Sequence, residues 1–259
     1  MQDKSEYLQV GISAVKAAEE VILKYLNEDI VAELKDDMTP VTAADKEAEG
    51  VIKQVILKRF PDHTFYGEEG EKVDLSNHRG FTWIIDPIDG TKSFIRKNPM
   101  FSTLLALMHD GELVIGISNM PLLHELAYAE KGRGCFVNEQ RVYVSAISGI
   151  QEAYVSHGSL KLFEKANCTK PLIELSVAAR QARGIGDAWS YHLLAQGKIE
   201  IMIEADCKLW DIAAAKVLVE EAGGTFTQLD GNPVGPNTIT ALATNGLLHR
   251  QIVERFVEA

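Results

Sequence analysis

The sequence of 259 residues contains few cysteines and no long apolar run, and each shortage excludes a class of protein. Its three cysteines, Cys135, Cys168 and Cys207, are odd in number and widely spaced, which fits neither a disulfide framework nor a zinc ribbon. The N-terminal segment lacks the basic cluster and apolar core of a signal peptide, and no stretch of about 18 consecutive apolar residues occurs. These absences predict a reduced, cytoplasmic protein without a membrane span.

Basic residues are also scarce, because 26 Lys and Arg stand against 37 Asp and Glu and give a formal net charge of −11. A non-specific nucleic-acid binder needs a cationic face, and no run rich in Lys or Arg supplies one. With 46% hydrophobic and 24% charged residues, the composition is that of a folded globular protein, and the length predicts one large or two modest domains. The open question is whether some of the carboxylates gather to hold cations, which would allow an anionic substrate.

Apolar residues recur with a helical period at the beginning of the chain and with a strand period later. The spacing predicts helices over residues 7–26 and 42–60, so that two helices precede any strand. It then predicts strands over 81–86, 102–109, 112–120, 125–129 and 141–145, whose short connections imply an antiparallel meander. The first half is therefore expected to be an α+β unit.

After residue 148 the two periods alternate. Strands are predicted over 153–157, 175–179, 199–204, 225–229 and 240–244, with helices over 188–196, over 212–222 and from 247 onward. This order is typical of a layered α/β unit. Residues 1–147 are thus expected to form an N-terminal α+β domain and residues 148–259 a C-terminal α/β domain, packed tightly because no linker separates them.

The densest acidic motif is Asp-Pro-Ile-Asp-Gly-Thr at residues 86–91. An apolar strand delivers Asp86 at its end, the proline and glycine force a turn, and Asp89 returns to the same point with the Ile88 carbonyl between them. Two carboxylates and a backbone oxygen on a tight turn suit a hard divalent cation such as Mg²⁺. The alternative is that both aspartates only satisfy backbone amides of the turn.

Beyond the turn, the amides of Gly90 and Thr91 can form a positive helix N-terminus that holds a phosphate group.

Other acidic segments allow two interpretations. The turn at residues 67–70 contains Glu68 and Glu69, which taken alone suit a solvated loop. Similarly, Asp45 and Asp211 each suit the first turn of a helix, where a carboxylate accepts backbone N–H groups.

Together these segments resemble the inositol monophosphatase family of Mg²⁺-dependent, lithium-sensitive phosphatases. The resemblance covers essentially the whole chain and rests on Pro40-Val41-Thr42-Ala43-Ala44-Asp45, Gly67-Glu68-Glu69, Trp83 to Phe94, Trp210-Asp211 and Glu220-Glu221-Ala222-Gly223-Gly224, in the order and spacing of the family. It implies a layered αβαβα sandwich of the inositol monophosphatase and fructose-1,6-bisphosphatase type, a homodimer, and hydrolysis of a phosphate monoester.

The resemblance also implies a set of metal ligands. A first Mg²⁺ would be held by Glu68, Asp86 and the carbonyl of Ile88, and a second by Asp86, Asp89 and Asp211. A third, more weakly bound metal would lie beside Glu68, and Mn²⁺ is a possible substitute. In such a site paired metals stabilise the attacking and the leaving oxygens of the phosphoryl group.

The same resemblance assigns the reacting groups. Thr91, paired with Asp45, would orient and deprotonate the attacking water, with Glu68 as a further member of the catalytic set, while the amides of Gly90 and Thr91 hold the phosphate. No covalent phosphoenzyme is needed. A regulatory binding protein on this scaffold is the non-enzymatic alternative, but it would be expected to have lost these ligands.

The leaving-group pocket decides the substrate, and the resemblance assigns it Arg183, Gly186, Asp187 and Glu204. The Arg-Gly-x-Gly-Asp-x-Trp-Ser string at 183–190 is similar to that of the histidinol-phosphatase branch, whereas Glu204 matches a glutamate that binds ring hydroxyls in inositol-specific members. Histidinol carries an ammonium that carboxylates would stabilise, and inositol is neutral. We therefore expect a histidinol-phosphatase of histidine biosynthesis, with an inositol-1-phosphate phosphatase or a broad-specificity member as the alternative. Asp187 could instead be a helix N-cap.

Overall fold

The structure is a computed structural model that describes residues 4–27, 32–34, 40–70, 73–75 and 79–258. The helices in this part of the chain are α1 Glu6–Leu26, α2 Ala43–Arg59, α3 Thr91–Ile95, α4 Leu160–Lys165, α5 Thr169–Ala178, α6 Asp187–Ala195, α7 Leu209–Glu221 and α8 His249–Val257. The strands are β1 Ala32–Leu34, β2 Pro40–Thr42, β3 Thr64–Gly67, β4 Phe81–Asp89, β5 Ser102–His109, β6 Glu112–Met120, β7 Glu125–Glu130, β8 Gly134–Val137, β9 Gln140–Val142, β10 Tyr154–His157, β11 Gln181–Arg183, β12 Ile201–Ala205, β13 Thr225–Thr227 and β14 Thr240–Thr244.

The first sheet has seven strands in the order β3-β4-β5-β6-β7-β8-β9. From β4 to β9 each strand is antiparallel to the next, which confirms the predicted meander, whereas β3 runs parallel to β4. Successive side chains of a strand point to opposite faces. Accordingly Trp83 and Ile85 pack against α1 and α2, while Ile84 packs on the other face against α6 and α7.

The second sheet has the order β11-β10-β12-β14-β13, with β10 parallel to both of its neighbours and the other pairs antiparallel. Helices α6 and α7 lie between the two sheets, and α7 buries residues all round its axis, as expected of a helix covered on both sides. Helices α4, α5 and α8 cover the outer face of the second sheet. The resulting five layers confirm the predicted αβαβα sandwich.

The division at residues 147 and 148 falls between the strands of the two sheets. However, α6 and α7 belong to the second half and pack on the first sheet as well as on the second. The two-domain interpretation therefore stays a prediction. All three cysteines lie in the described residues and none forms a disulfide. No helix in the described part of the chain combines the length and the apolar character that a membrane span needs.

Three sequence-based expectations about elements are wrong. Residues 175–178 belong to helix α5 and not to a strand, because the buried Leu172 and Leu175 are three residues apart while Val177 is 81% exposed, which is a helical period. The short pair β1 and β2 precedes α2, so a strand comes before the second helix. The strand expected over 141–145 is Gln140–Val142, which pairs with β8.

Candidate active site

The parallel pair β3 and β4 brings two acidic residues to one edge of the first sheet. Gly67, the last residue of β3, is paired with Ile85, and the amide of Glu68 donates to the Ile85 carbonyl at 3.1 Å. Glu68 therefore leaves the sheet beside Asp86, which follows Ile85 in β4. Because the carboxyl ends of parallel strands meet at the same edge, this convergence follows from the topology.

The turn after Asp86 is fixed by hydrogen bonds from β5. The pairing of β4 with β5 shifts register between Asp86 and Asp89. The Thr103 hydroxyl donates to the Pro87 carbonyl at 2.9 Å, and the Ser102 hydroxyl donates to Asp89 Oδ2 at 3.3 Å. A neighbouring strand thus holds the backbone of the turn and the Asp89 carboxylate in place.

Gly90 follows the turn with a φ of +82°, and a Cβ on it would lie 2.8 Å from the Met100 carbonyl oxygen. Both the left-handed backbone and the close approach require glycine here. Helix α3 begins at the next residue, Thr91, which confirms the helix start expected after Gly90.

Two helix N-termini bring further carboxylates to the same place. The Thr42 amide and hydroxyl donate to Asp45 Oδ2 at 2.8 and 2.6 Å, and the Lys208 amide donates to Asp211 Oδ2 at 2.7 Å. The capping role that the sequence allowed is therefore present at both helices. Each cap uses one carboxylate oxygen, so capping does not exclude a second role for Asp45 or Asp211.

The carboxyl groups influence one another strongly. Burial and the nearby Glu68, Asp89 and Asp211 raise the pKa of Asp86 well above its usual value. Burial is also the main cause that raises the pKa of Asp211 to about 7 and that of Asp45 to about 6. Several acids are therefore enclosed together, and each ionised form is disfavoured unless a cation is supplied.

The donor atoms fit a divalent cation. Among the described residues, Asp45 Oδ1 and Asp86 Oδ1 are buried oxygens without a hydrogen-bond partner, which is rare for such atoms. A set of carboxylate oxygens is what Mg²⁺ or a similar hard ion requires. In the same part of the chain, however, no three acidic, histidine or cysteine side chains already form a complete metal site, so closure around an ion stays a prediction.

Further acids adjoin the motif at the beginning of α6, where the leaving-group pocket is expected. Glu204 on β12 is buried and accepts the Asp187 amide and the Tyr191 hydroxyl, both at 2.9 Å. Burial, with the Asp187 charge as the next cause, raises the pKa of Glu204 to about 8. The Ala188 amide donates to Asp89 Oδ2 at 3.2 Å, so the first turn of α6 joins the pocket to the motif.

Asp187 is exposed at the beginning of α6, with a φ of +51°. Desolvation of its carboxyl group raises the pKa of Asp187, while the nearby charge of Lys92 lowers it. Gly186, with a φ of +70°, occupies the N-cap position and its amide lies 3.4 Å from the Ser156 hydroxyl. Asp187 is thus the first residue of α6 and not its N-cap.

Thr91 and Arg183 make contacts in the described structure that differ from their expected roles. The Thr91 hydroxyl donates to the Ile88 carbonyl at 3.1 Å and not to Asp45, so the pairing of Thr91 with Asp45 stays a prediction. The Arg183 side chain is exposed on the edge strand β11, and its guanidinium donates to the Ala182 carbonyl at 3.0 Å, so its role in substrate binding stays a prediction.

Sequence reasoning missed Glu49, which supports the Glu68 turn. Glu49 is buried on α2, accepts the Glu69 amide at 3.1 Å and pairs with Lys53. The available signal was the spacing of Asp45, Glu49 and Lys53, which places three charged residues on one face of a helix at intervals of four.

Comparisons with known proteins give a consistent picture. The model of the inositol monophosphatase family matches residues 3–259. The chain is 36% identical over 234 residues to the histidinol-phosphatase of Streptomyces coelicolor, covering 87% of this chain and 86% of that protein. It is 34% identical over 236 residues to the inositol-1-monophosphatase of Rhizobium meliloti, covering 88% and 87%. The solved IMPase of Thermotoga maritima is similar with a TM-score of 0.88 at 30% identity, covering 98% of each chain.

Proposed function

The chain belongs to the inositol monophosphatase family and is a phosphoric monoester hydrolase, and we propose that its substrate is L-histidinol phosphate. The observation that carries the proposal is the pair of acids in the pocket, where the Asp187 amide donates to Glu204. Relatives named histidinol-phosphatase at 36% identity support the same substrate. The products are L-histidinol and inorganic phosphate.

The pocket acids favour an ammonium-bearing leaving group. Burial raises the pKa of both Asp187 and Glu204, so their ionised forms are disfavoured without a nearby cation. The ammonium of histidinol would supply that cation and form charge-assisted hydrogen bonds. Inositol would offer only neutral hydroxyls and leave the acids uncompensated. The charge of the pocket therefore supports histidinol over inositol.

We propose that Mg²⁺, with Mn²⁺ as a possible substitute, is held by Glu68, Asp86, the Ile88 carbonyl, Asp89 and Asp211. Support comes from the buried Asp86 Oδ1 without a partner and from the raised pKa values of the enclosed acids. When bound, a divalent metal supplies positive charge that stabilises the phosphoryl oxygens and lowers the pKa of water. Inhibition by lithium is a further proposal from the family resemblance.

Asp45 is the proposed general base, acting on the attacking water through Thr91. Burial raises the pKa of Asp45 to about 6, near neutral pH, where a general base is both available and effective. The role requires the Thr91 hydroxyl to turn from the Ile88 carbonyl toward Asp45. The amides of Gly90 and Thr91 are proposed to hold the phosphate group at the beginning of α3.

The test is a comparison of kcat/KM for L-histidinol phosphate and for myo-inositol 1-phosphate, each measured with Mg²⁺ and after its removal. We expect hydrolysis only with the metal, and a preference for L-histidinol phosphate. A clear preference for the inositol ester would overturn the substrate and favour the alternative that the second relative represents. Sedimentation analysis of the same sample tests the proposed homodimer.

A further inference from the structure

Two buried side chains and a partly buried glutamate tie helix α6 to the first sheet. His192 on α6 is fully buried, with Nδ1 2.7 Å from Glu125 Oε1 and Nε2 2.7 Å from Ser118 Oγ. Ser118 lies on β6, and Glu125 begins β7. The side-chain amide of Gln196 donates to the same Glu125 oxygen at 3.2 Å. A second residue at the end of α6 therefore strengthens the link.

The serine–histidine–glutamate order is that of a hydrolytic triad, but it cannot act as one here. The Ser118 side chain is 1% exposed and His192 is 0% exposed, so no substrate reaches either. A hydrogen bond from His192 lowers the pKa of Glu125, which keeps this acid ionised. With Nδ1–H donating to Glu125 and Nε2 accepting the Ser118 hydroxyl, all three groups are satisfied.

The other end of α6 contacts the active site. The Ala188 amide donates to Asp89 at 3.2 Å, and the Asp187 amide donates to Glu204 at 2.9 Å. Ala188 and His192 are four residues apart and so lie on one face of the helix. Ala188 packs against β4 and β5, and His192 bonds to β6 and β7. One face of α6 thus crosses the first sheet. Its His192 end is hydrogen-bonded to that sheet, and its Ala188 end is hydrogen-bonded to the active site.

We propose that His192 is a positioning residue, which sets the placement of α6 on the first sheet and thereby the distance between the leaving-group pocket and the phosphate end of the site. The inference rests on the proposed function, because that function gives Asp187 and Glu204 a substrate to hold. His192 and the amides of the first turn belong to the same helix of nine residues, so a shift at His192 would displace those amides. Even a displacement of about 1 Å can reduce catalysis strongly.

The test compares a pocket-binding ester with one that has no group for the pocket. We expect His192→Ala to raise KM for L-histidinol phosphate by about tenfold or more, with a smaller change in kcat. Hydrolysis of p-nitrophenyl phosphate and inhibition by inorganic phosphate should change much less, because they depend on the phosphate end. His192→Asn should recover part of the KM, since its amide nitrogen can donate to Glu125 in place of Nδ1.

His249 is the matched control. Its ring nitrogens are also both hydrogen-bonded, to Thr227 Oγ1 at 2.9 Å and to Thr244 Oγ1 at 3.1 Å, but it lies on α8 in the outer layer. His249→Ala should lower stability without changing the ratio of the two activities. If His192→Ala fails to fold, Glu125→Gln keeps the volume and removes the charge, and it should raise the same KM by a smaller factor.

Each outcome decides whether His192 has a positioning role. Equal losses on both esters, or the same selective loss in His249→Ala, would show that His192 is only structural. Failure of the unaltered enzyme to act on L-histidinol phosphate would instead overturn the proposed function. In that event the same comparison is made with the ester that the unaltered enzyme prefers, and a selective rise in KM still supports the role of His192.

Discussion

The backbone of Gly67 lies against the carboxylate of Glu49, so closely that a Cβ at position 67 would be 2.6 Å from Glu49 Oε2. Glu49 cannot move aside freely, because it is buried, accepts the Glu69 amide and pairs with Lys53. Glu68 lies between the two contacts. Close packing against α2 therefore fixes the turn that carries a proposed metal ligand.

Gly67→Ala should weaken Mg²⁺ binding. The added methyl group must displace either Glu49 or the turn, and the turn carries Glu68 on its next residue. We expect the Mg²⁺ concentration for half-maximal activity to rise several-fold, with a loss of stability of about 1–3 kcal/mol from overpacking. Titration of activity with Mg²⁺ and thermal unfolding measure the two effects.

Gly50→Ala is the control on the same helix. No atom lies within 4 Å of a Cβ built there, and the residue is exposed in the interior of α2. Alanine should stabilise the protein by about 0.5–1 kcal/mol without changing the Mg²⁺ requirement. If both variants shifted that requirement equally, the contact with Glu49 would not be the cause.

Asp89→Asn and Asp211→Asn should each keep the fold and lose Mg²⁺-dependent hydrolysis. An amide keeps the shape of the side chain but removes the charge that would hold the cation. We expect kcat to fall by about a hundredfold or more, the size of loss typical when a group that stabilises charge is removed. Steady-state kinetics measure the loss, and circular dichroism checks the fold.

The exposed Asp230 provides the matched control, since it only accepts hydrogen bonds from Asn232 in a loop. Asp230→Asn should retain normal activity. Normal activity in either Asp89→Asn or Asp211→Asn would remove these residues from the proposed site.

Sequence patterns predicted those parts of the site that are local in the chain. The motif at 86–91, the helix that begins at Thr91 and the capping positions of Asp45 and Asp211 each depend on neighbouring residues only. The topology of the two sheets then brings these local parts together. Recognising the motifs jointly was therefore enough to predict the layered fold.

Contacts between distant segments could not be predicted in the same way. Glu49 supports a turn about 20 residues away, and the packing of β3 beside α2 creates that contact. The string that contains Arg183 predicts a pocket residue, but it could not predict that strand β11 lies at the edge of its sheet and leaves the guanidinium exposed, and the substrate role of Arg183 stays a prediction. His192, which the sequence alone does not distinguish from an ordinary core residue, bonds to strand residues 67 and 74 positions earlier.

The metal-free protein should lose stability as the pH rises from about 5 to about 8. Burial raises the pKa of Asp45 to about 6, of Asp211 to about 7 and of Glu204 to about 8. The folded protein therefore retains protons that the unfolded chain, with carboxyl pKa values near about 4, has released. This stabilisation is complete at a pH below the carboxyl pKa values of the unfolded chain, and it is lost as the pH rises through the pKa values of the folded protein.

Thermal unfolding in EDTA at several pH values in this interval measures the effect. Added Mg²⁺ should raise Tm most at the highest pH, because it binds the ionised carboxylates. Asp211→Asn removes one of the groups and should show a smaller fall in Tm with pH. A Tm in EDTA that rose steadily over the interval would contradict the prediction.

Asp187→Asn should reduce the selectivity for L-histidinol phosphate. The φ of +51° at this position is one that asparagine adopts readily, so the substitution removes the charge without adding backbone strain. With the proposed substrate, the ammonium of histidinol would lose one of two carboxylate partners, whereas neutral inositol would lose none. We expect kcat/KM for L-histidinol phosphate to fall by about tenfold, a loss of about 1.4 kcal/mol, and that for myo-inositol 1-phosphate to stay nearly constant. Equal changes for both esters would show that Asp187 does not contact the leaving group, and the substrate would then have to be distinguished by Glu204 alone.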